Sequence, residues 1–201
     1  SSNVALGFNA LAGNITGVRN IAIGAYALDV ADAENDNIAI GISTLGHSSN
    51  AADNNLAIGS YAGDAITSGE DNVLVGKNAG GALSSGEDNV AIGNEAGAAL
   101  TGSDSVVIGD WAGKAQTTGG NVLVGSLVGY NANSTWGNNV AIGNQAAMNL
   151  HGTSNVYVGY NAAGSGTHNG AHYNVGIGDS TLNALTSGGK NIAVGYTAGN
   201  N

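Results

Sequence analysis

The sequence predicts an all-β protein, a parallel β-solenoid (β-roll) of about twelve coils of about 17 residues each, and two observations predict it. The first is a five-residue unit, Asn, aliphatic, any residue, aliphatic, Gly, that recurs along the whole chain. It closes at Gly7, Gly24, Gly41, Gly59, Gly76, Gly93, Gly109, Gly125, Gly143, Gly159, Gly178 and Gly195. Successive closing glycines lie 16 to 19 residues apart, so a single repeat domain is expected over residues 1–201. The second is compositional: 35 glycines and no proline, with Val, Ile and Leu recurring in register with the glycines, which marks ordered repetition and not a flexible linker.

The five-residue unit reads as one short strand per coil. Aliphatic residues two apart, as in Val73 and Val75, Val90 and Ile92, or Val140 and Ile142, project to the same side of an extended chain. A helix interrupted by this much glycine would be costly. After the glycine come two variable residues, then Ala in nine copies, then a small residue, as in Lys77-Asn78-Ala79-Gly80. Several copies carry an aliphatic residue seven after the glycine: Ile66, Leu83, Leu100, Leu150 and Leu185. This stretch predicts a second short strand, followed by a polar turn such as Ser68-Gly69-Glu70-Asp71.

One coil is too small to bury a core alone, so coils must stack in parallel at about 4.8 Å, giving a rod of about 55 Å. Asn opens every copy except the one at Ser105. Stacked amides can hydrogen-bond from coil to coil, which predicts a ladder through Asn20, Asn37, Asn55, Asn72, Asn89, Asn121, Asn139, Asn155, Asn174 and Asn191.

The residue between the two aliphatic positions is Ala seven times and otherwise Leu74, Val107, Leu123, Tyr157 or Gly176, so the strand is expected to be buried on both faces. One face fills the coil. The small Ala ribbon is expected to be the other, packing identical rods closely about a symmetry axis.

Asn89-Val90-Ala91-Ile92-Gly93-Asn94-Glu95-Ala96 and Asn139-Val140-Ala141-Ile142-Gly143-Asn144-Gln145-Ala146 resemble the head repeat of YadA-like trimeric autotransporter adhesins, and similar repeats occur in bacteriophage tail fibres. The resemblance extends over all twelve units. It implies a left-handed parallel β-roll, a homotrimer about the long axis, and attachment to a surface. The adhesin repeat is shorter than this one, and the turns here are longer and richer in Ser and Gly. These departures favour a phage tail fibre over a bacterial adhesin head.

Composition removes several classes. Four Lys or Arg against fourteen Asp or Glu give a formal charge of −10, the wrong field for nucleic acid. Apolar runs are far shorter than the roughly 20 residues of a membrane span, so no membrane insertion is expected. Cysteine is absent. The chain opens at Ser1, two residues before a repeat, and reads as a fragment of a longer fibrous protein. Neither a Gly-x-Ser-x-Gly elbow with triad partners nor a phosphate-binding Gly-Lys-Ser/Thr motif is present, so no enzyme and no catalytic residue are expected.

Three sets of residues carry candidate chemistry. Asp36, Asp71, Asp88 and Asp104 precede the repeat's first residue, with Glu70 and Glu87 one earlier; stacked, they offer oxygen ligands to Ca²⁺, against a plain reading as solvated turns, which their lack of the nonapeptide calcium signature favours. His47, His151, His168 and His172 are the histidines, best read as exposed loop residues. Tyr26, Tyr61 and Trp111 follow their glycines by two, and Tyr130, Trp136, Tyr160 and Tyr173 sit in or near variable segments. Such aromatics read either as packing between chains and shielding of the rod's ends and edges or as a recognition surface. Trp111, Trp136, Tyr130, Tyr160 and Tyr173, together with His168 and His172, are the candidate contacts for a cell-surface glycan or protein receptor. The expected function is a structural and adhesive fibre segment on a virion or bacterial surface, working by multivalent display. The competitors are a ligand-free filament and an ice-binding solenoid, and the latter needs regular Thr positions that the chain lacks.

Overall fold

A computed structural model describes residues 2–30, 32–47, 52–132, 137–149, 151–166 and 170–200. The chain is a β-solenoid with twelve three-residue strands: β1 (Val4–Leu6), β2 (Ile21–Ile23), β3 (Ile38–Ile40), β4 (Leu56–Ile58), β5 (Val73–Val75), β6 (Val90–Ile92), β7 (Val106–Ile108), β8 (Val122–Val124), β9 (Val140–Ile142), β10 (Val156–Val158), β11 (Val175–Ile177) and β12 (Ile192–Val194). They form one parallel sheet in sequence order, each strand matched residue for residue with the next. Register is kept at both strand ends. The Val73 N–H donates to Asn89 O in the following coil, and the Gly76 N–H donates to Ile58 O in the preceding one, both at 2.8 Å.

The facing of the strand is the reverse of the sequence expectation. From β2 onward the middle residue points into the coil: Ala22, Ala39, Leu74, Ala91, Val107, Leu123, Ala141 and Tyr157 are all fully buried. The flanking Val, Ile and Leu residues face outward and remain partly open, with Ile58, Ile92, Val122, Ile142 and Ile177 between 36 and 42% exposed. The physical reason is space. The turn side chains, Leu28, Leu45, Ile66 and Leu83 among them, already occupy much of the lumen, so Ala suffices in the middle column of most coils and the branched residues sit on the outer pleat.

Among the described residues the second strand expected after the glycine is absent, and that stretch is a chain of tight turns. The closing glycines have φ between +124° and +142°, and a Cβ on Gly59 would lie 2.5 Å from Gly76 O, so only glycine allows the coils to stack there. Two residues later the backbone is left-handed, as at Asn78 and Trp111, and again at the fourth residue, as at Leu28, Leu45, Gly63 and Gly80. A third left-handed position precedes the repeat's first residue and includes Asp36, Asp71, Asp88 and Asp104. Such conformations cost on the order of 1 kcal/mol for a residue with a Cβ. Hydrogen bonds to the neighbouring coils offset that cost, for example Trp111 N–H to Asn94 O and Leu45 N–H to Ala62 O.

Large side chains alternate between columns of the lumen. Leu28 and Leu45 fill it from the fourth position after the glycine, whereas Ile66, Leu83 and Leu100 fill it from the seventh, in coils where the fourth is Gly63, Gly80 or Gly97. The coil after Gly178 carries both, Leu182 in the core and Leu185 packed against it, whereas in the coil after Gly59 the fourth position has no room. A Cβ on Gly63 would stand 2.8 Å from Leu74 Cδ1, 2.9 Å from Leu45 Cδ2 and 3.0 Å from Ile66 Cδ1.

Candidate functional site

The repeat's Asn residues from Asn20 to Asn174 are buried at the corner where each strand begins, and Asn3 and Asn191 at the two ends are half-buried. Through eleven successive steps from Asn3 to Asn191, the backbone N–H of one coil donates to the side-chain oxygen of the preceding one. In six steps the side-chain amide donates to that same oxygen. The amide also closes its own coil, as from Asn72 to Gly86 O at 2.9 Å and from Asn139 to Gly152 O at 3.0 Å. Ser105 continues the line through its hydroxyl, which accepts from the Asn121 N–H at 3.3 Å. From Asn20 to Asn174 these buried residues therefore join coil to coil, and most also close their own coil, which is a framework role.

The candidate recognition residues do not form one site. Trp111 and Tyr130 come together, their rings 5.9 Å apart and tilted by 43°. Two residues not singled out in the sequence complete that corner. Lys114 Nζ lies 5.0 Å from the Trp111 ring centroid and 5.8 Å from that of Tyr130, and 2.6 Å from Glu95 Oε2. The hydrogen bond that the Lys114 ammonium donates to Glu95 holds its pKa above the usual value. Glu95 and Trp111 are successive members of the column two after the glycine, and Lys114 and Tyr130 of the column five after it; only the register brings the four together. Tyr160 and Tyr173 stand apart from this corner, 54 and 61% exposed. His172 accepts a hydrogen bond from the Thr153 N–H at 3.0 Å through Nδ1 and leans on Tyr173. Trp136 and His168 lie outside the described residues, as does Leu150.

At the acidic edge, Asp36 takes a bidentate ion pair from Arg19 of the preceding coil at 2.6 Å. The Arg19 hydrogen bond holds this carboxyl below the usual carboxylate range. Among the described residues no group of three or more His, Cys, Asp or Glu is arranged to hold a metal ion. The recurrence of Asp at this edge follows from its left-handed backbone position, which Asp and Asn tolerate best.

The outward pleat is itself a continuous surface feature: two parallel columns of Val, Ile and Leu, one on each side of the middle column, along all twelve strands. No helix of the described residues is long and apolar enough to cross a membrane. Comparison with known proteins found no matching family model, no matching curated sequence and no matching solved structure.

Proposed function

We propose that the chain is a structural and adhesive fibre segment that assembles as a homotrimer and displays its remaining surface many times over to a cell-surface glycan or protein receptor. One observation carries the reading: the outward columns of branched aliphatic residues. At about 4.8 Å per strand they run for roughly 55 Å, and an uninterrupted apolar band of that kind marks a contact surface. A second copy of the same rod is the simplest cover, because an identical repeat presents the same spacing. Closure about a long axis would bury the band on every chain at once. The threefold number rests on the resemblance to trimeric adhesin heads and tail fibres. The longer, Ser- and Gly-rich turns favour the tail fibre of a phage virion, with a bacterial surface adhesin as the alternative.

A stiff rod suits this task. The Asn framework and residue-for-residue register resist bending, so weak contacts held at fixed spacing add by avidity without any deep pocket. Solution mass by light scattering and sedimentation at two concentrations tests the assembly, and a mass near three chains is the expected result. A folded single chain sinks the trimer; the band would then be an open flat face, and binding to ice or another ordered surface becomes the next experiment.

A further inference from the structure

We infer that Glu95, Trp111, Lys114 and Tyr130 form a binding site for a neutral hexopyranose, an assignment that rests on the attachment reading above and names the chemistry of one contact.

The four side chains come from three consecutive coils and meet at one corner of the rod, beyond the turn that follows the strand. Elsewhere the same two columns are mixed: Tyr26, Tyr61, Leu127 and Gln145 stand in the first and Met148 in the second, but several coils hold short residues at both. Asn78 faces Gly81 in one coil and Asn161 faces Gly164 in another, where a glycine Cβ would overlap the Asn side chain. The local replacement of that pair by Trp and Lys is therefore not required by the coil, whose backbone accepts Asn at φ 51 to 55° as readily as Trp at 56°. Placing the bulky indole at a left-handed position also carries a backbone cost that Asn largely avoids.

Chemistry selects the ligand. Trp111 is 37% exposed, with Lys114 over its ring, and Tyr130 lies alongside at 43°. The axial C–H face of a pyranose is apolar and weakly electropositive, and it stacks on the electron-rich face of such a ring. The paired Lys114 and Glu95 supply a donor and an acceptor 2.6 Å apart, which matches two neighbouring hydroxyls, one accepting from the ammonium and one donating to the carboxylate. Because the ammonium is already neutralised and the chain carries fourteen acidic residues against four basic ones, a sialic or uronic acid would meet Glu95 with no free cation to receive it. A cationic ligand would meet Lys114. An uncharged sugar meets neither penalty.

The test is a panel of immobilised methyl glycosides of glucose, galactose and mannose, beside glucuronic acid and N-acetylneuraminic acid, probed with the assembled protein and two variants. Trp111→Asn puts at this position the residue found at Asn9, Asn78 and Asn161, so its melting curve should match or exceed that of the wild type. It should bind neutral sugars roughly tenfold more weakly. Glu95→Gln frees Lys114, and binding of the acidic sugars should rise by up to about fivefold. Unchanged neutral-sugar binding by Trp111→Asn, or wild-type binding confined to the acidic sugars, overturns the site and leaves the attachment reading standing. A blank panel with retained adhesion to target cells has the same meaning. A blank panel with no adhesion removes both.

Discussion

Gly176 lies directly beside Tyr157 in the parallel register of β10 and β11, and a Cβ on Gly176 would stand 3.1 Å from Tyr157 Cδ1. It would also lie 3.0 Å from Thr181 Oγ1 and 3.3 Å from Leu182 Cδ1. The one full-sized aromatic ring in the lumen is thus matched by the one glycine in the middle-residue column. Gly176→Ala should destabilise the protein by about 1–3 kcal/mol through overpacking. In a Tyr157→Ala background the same substitution should cost far less, and a thermal or denaturant double-mutant cycle measures the coupling. Additive effects would show that the two positions do not share space.

Tyr157 also sets an alkaline limit. Its ring is buried with the hydroxyl against Asn174, and burial pushes the phenol well above its ordinary value. The unfolded chain ionises this group near pH 10 while the folded chain keeps it protonated, so the unfolded state binds fewer protons there. Stability from this group is complete below about pH 10 and falls as pH rises toward the raised folded value. Tyr157→Phe should flatten that part of the profile of melting temperature against pH, and an unchanged slope would refute the assignment.

The Asn framework predicts graded losses. Asn89→Ala deprives the Ser105 N–H of its acceptor and removes donors to Asn72 Oδ1 and to Gly102 O, all in a buried corner. A loss of about 2–5 kcal/mol is expected, since each buried group left unpaired costs roughly 1–3 kcal/mol. Ser105→Asn should act oppositely. It restores the amide that nine of its eleven counterparts use to reach a carbonyl late in their own coil among the described residues, and a gain of about 1 kcal/mol in thermal unfolding checks it.

The strand, its parallel stacking and the coil length were legible because a five-residue unit with strict alternation admits one local geometry. Which face turns inward was not, since alternation separates Ala91 from Val90 and Ile92 without saying which side is the lumen. The deciding quantity is how much of the lumen the turn side chains already occupy, a property of the closed coil. The aliphatic residues at Ile66 and Leu83 suggested a second strand. The residues between them and the glycine, Gly63 and Tyr61 in one coil, are left-handed and make the stretch a turn. Trp111, two after its glycine, and Tyr130, near a variable segment, are legible as aromatics, whereas Lys114 and Glu95 are not, because residues 19 apart meet only once register is known.

Exchange between lumen columns gives a test of packing that single substitutions cannot. Gly63→Leu alone should destabilise by several kcal/mol, because Leu45, Leu74 and Ile66 already occupy its space. Combined with Ile66→Ala it should recover much of that loss, reproducing the arrangement of Leu28 and Leu45 in earlier coils, where leucine holds the left-handed position at φ 47 and 50°. Recovery is read from the denaturant midpoint; a double variant worse than either single one would mean that the columns do not exchange.

The outward columns carry the last prediction. Ile92 and Ile142 project from the pleat at 36 and 39% exposure, so Ile92→Lys with Ile142→Lys should leave the coil folded, within about 1 kcal/mol for the isolated chain. In an assembly that covers the pleat, two lysines per chain meet their symmetry copies in an apolar seam, and burying unpaired charge costs several kcal/mol per ion. The variant should therefore sediment as a single chain with an unchanged far-ultraviolet spectrum, while Trp111→Asn, beyond the turn, sediments as the wild type does. If the lysine variant keeps the wild-type mass, the seam lies elsewhere on the rod. If the wild type is itself a single chain, the apolar pleat is an open face and the fibre reading loses the observation that carries it.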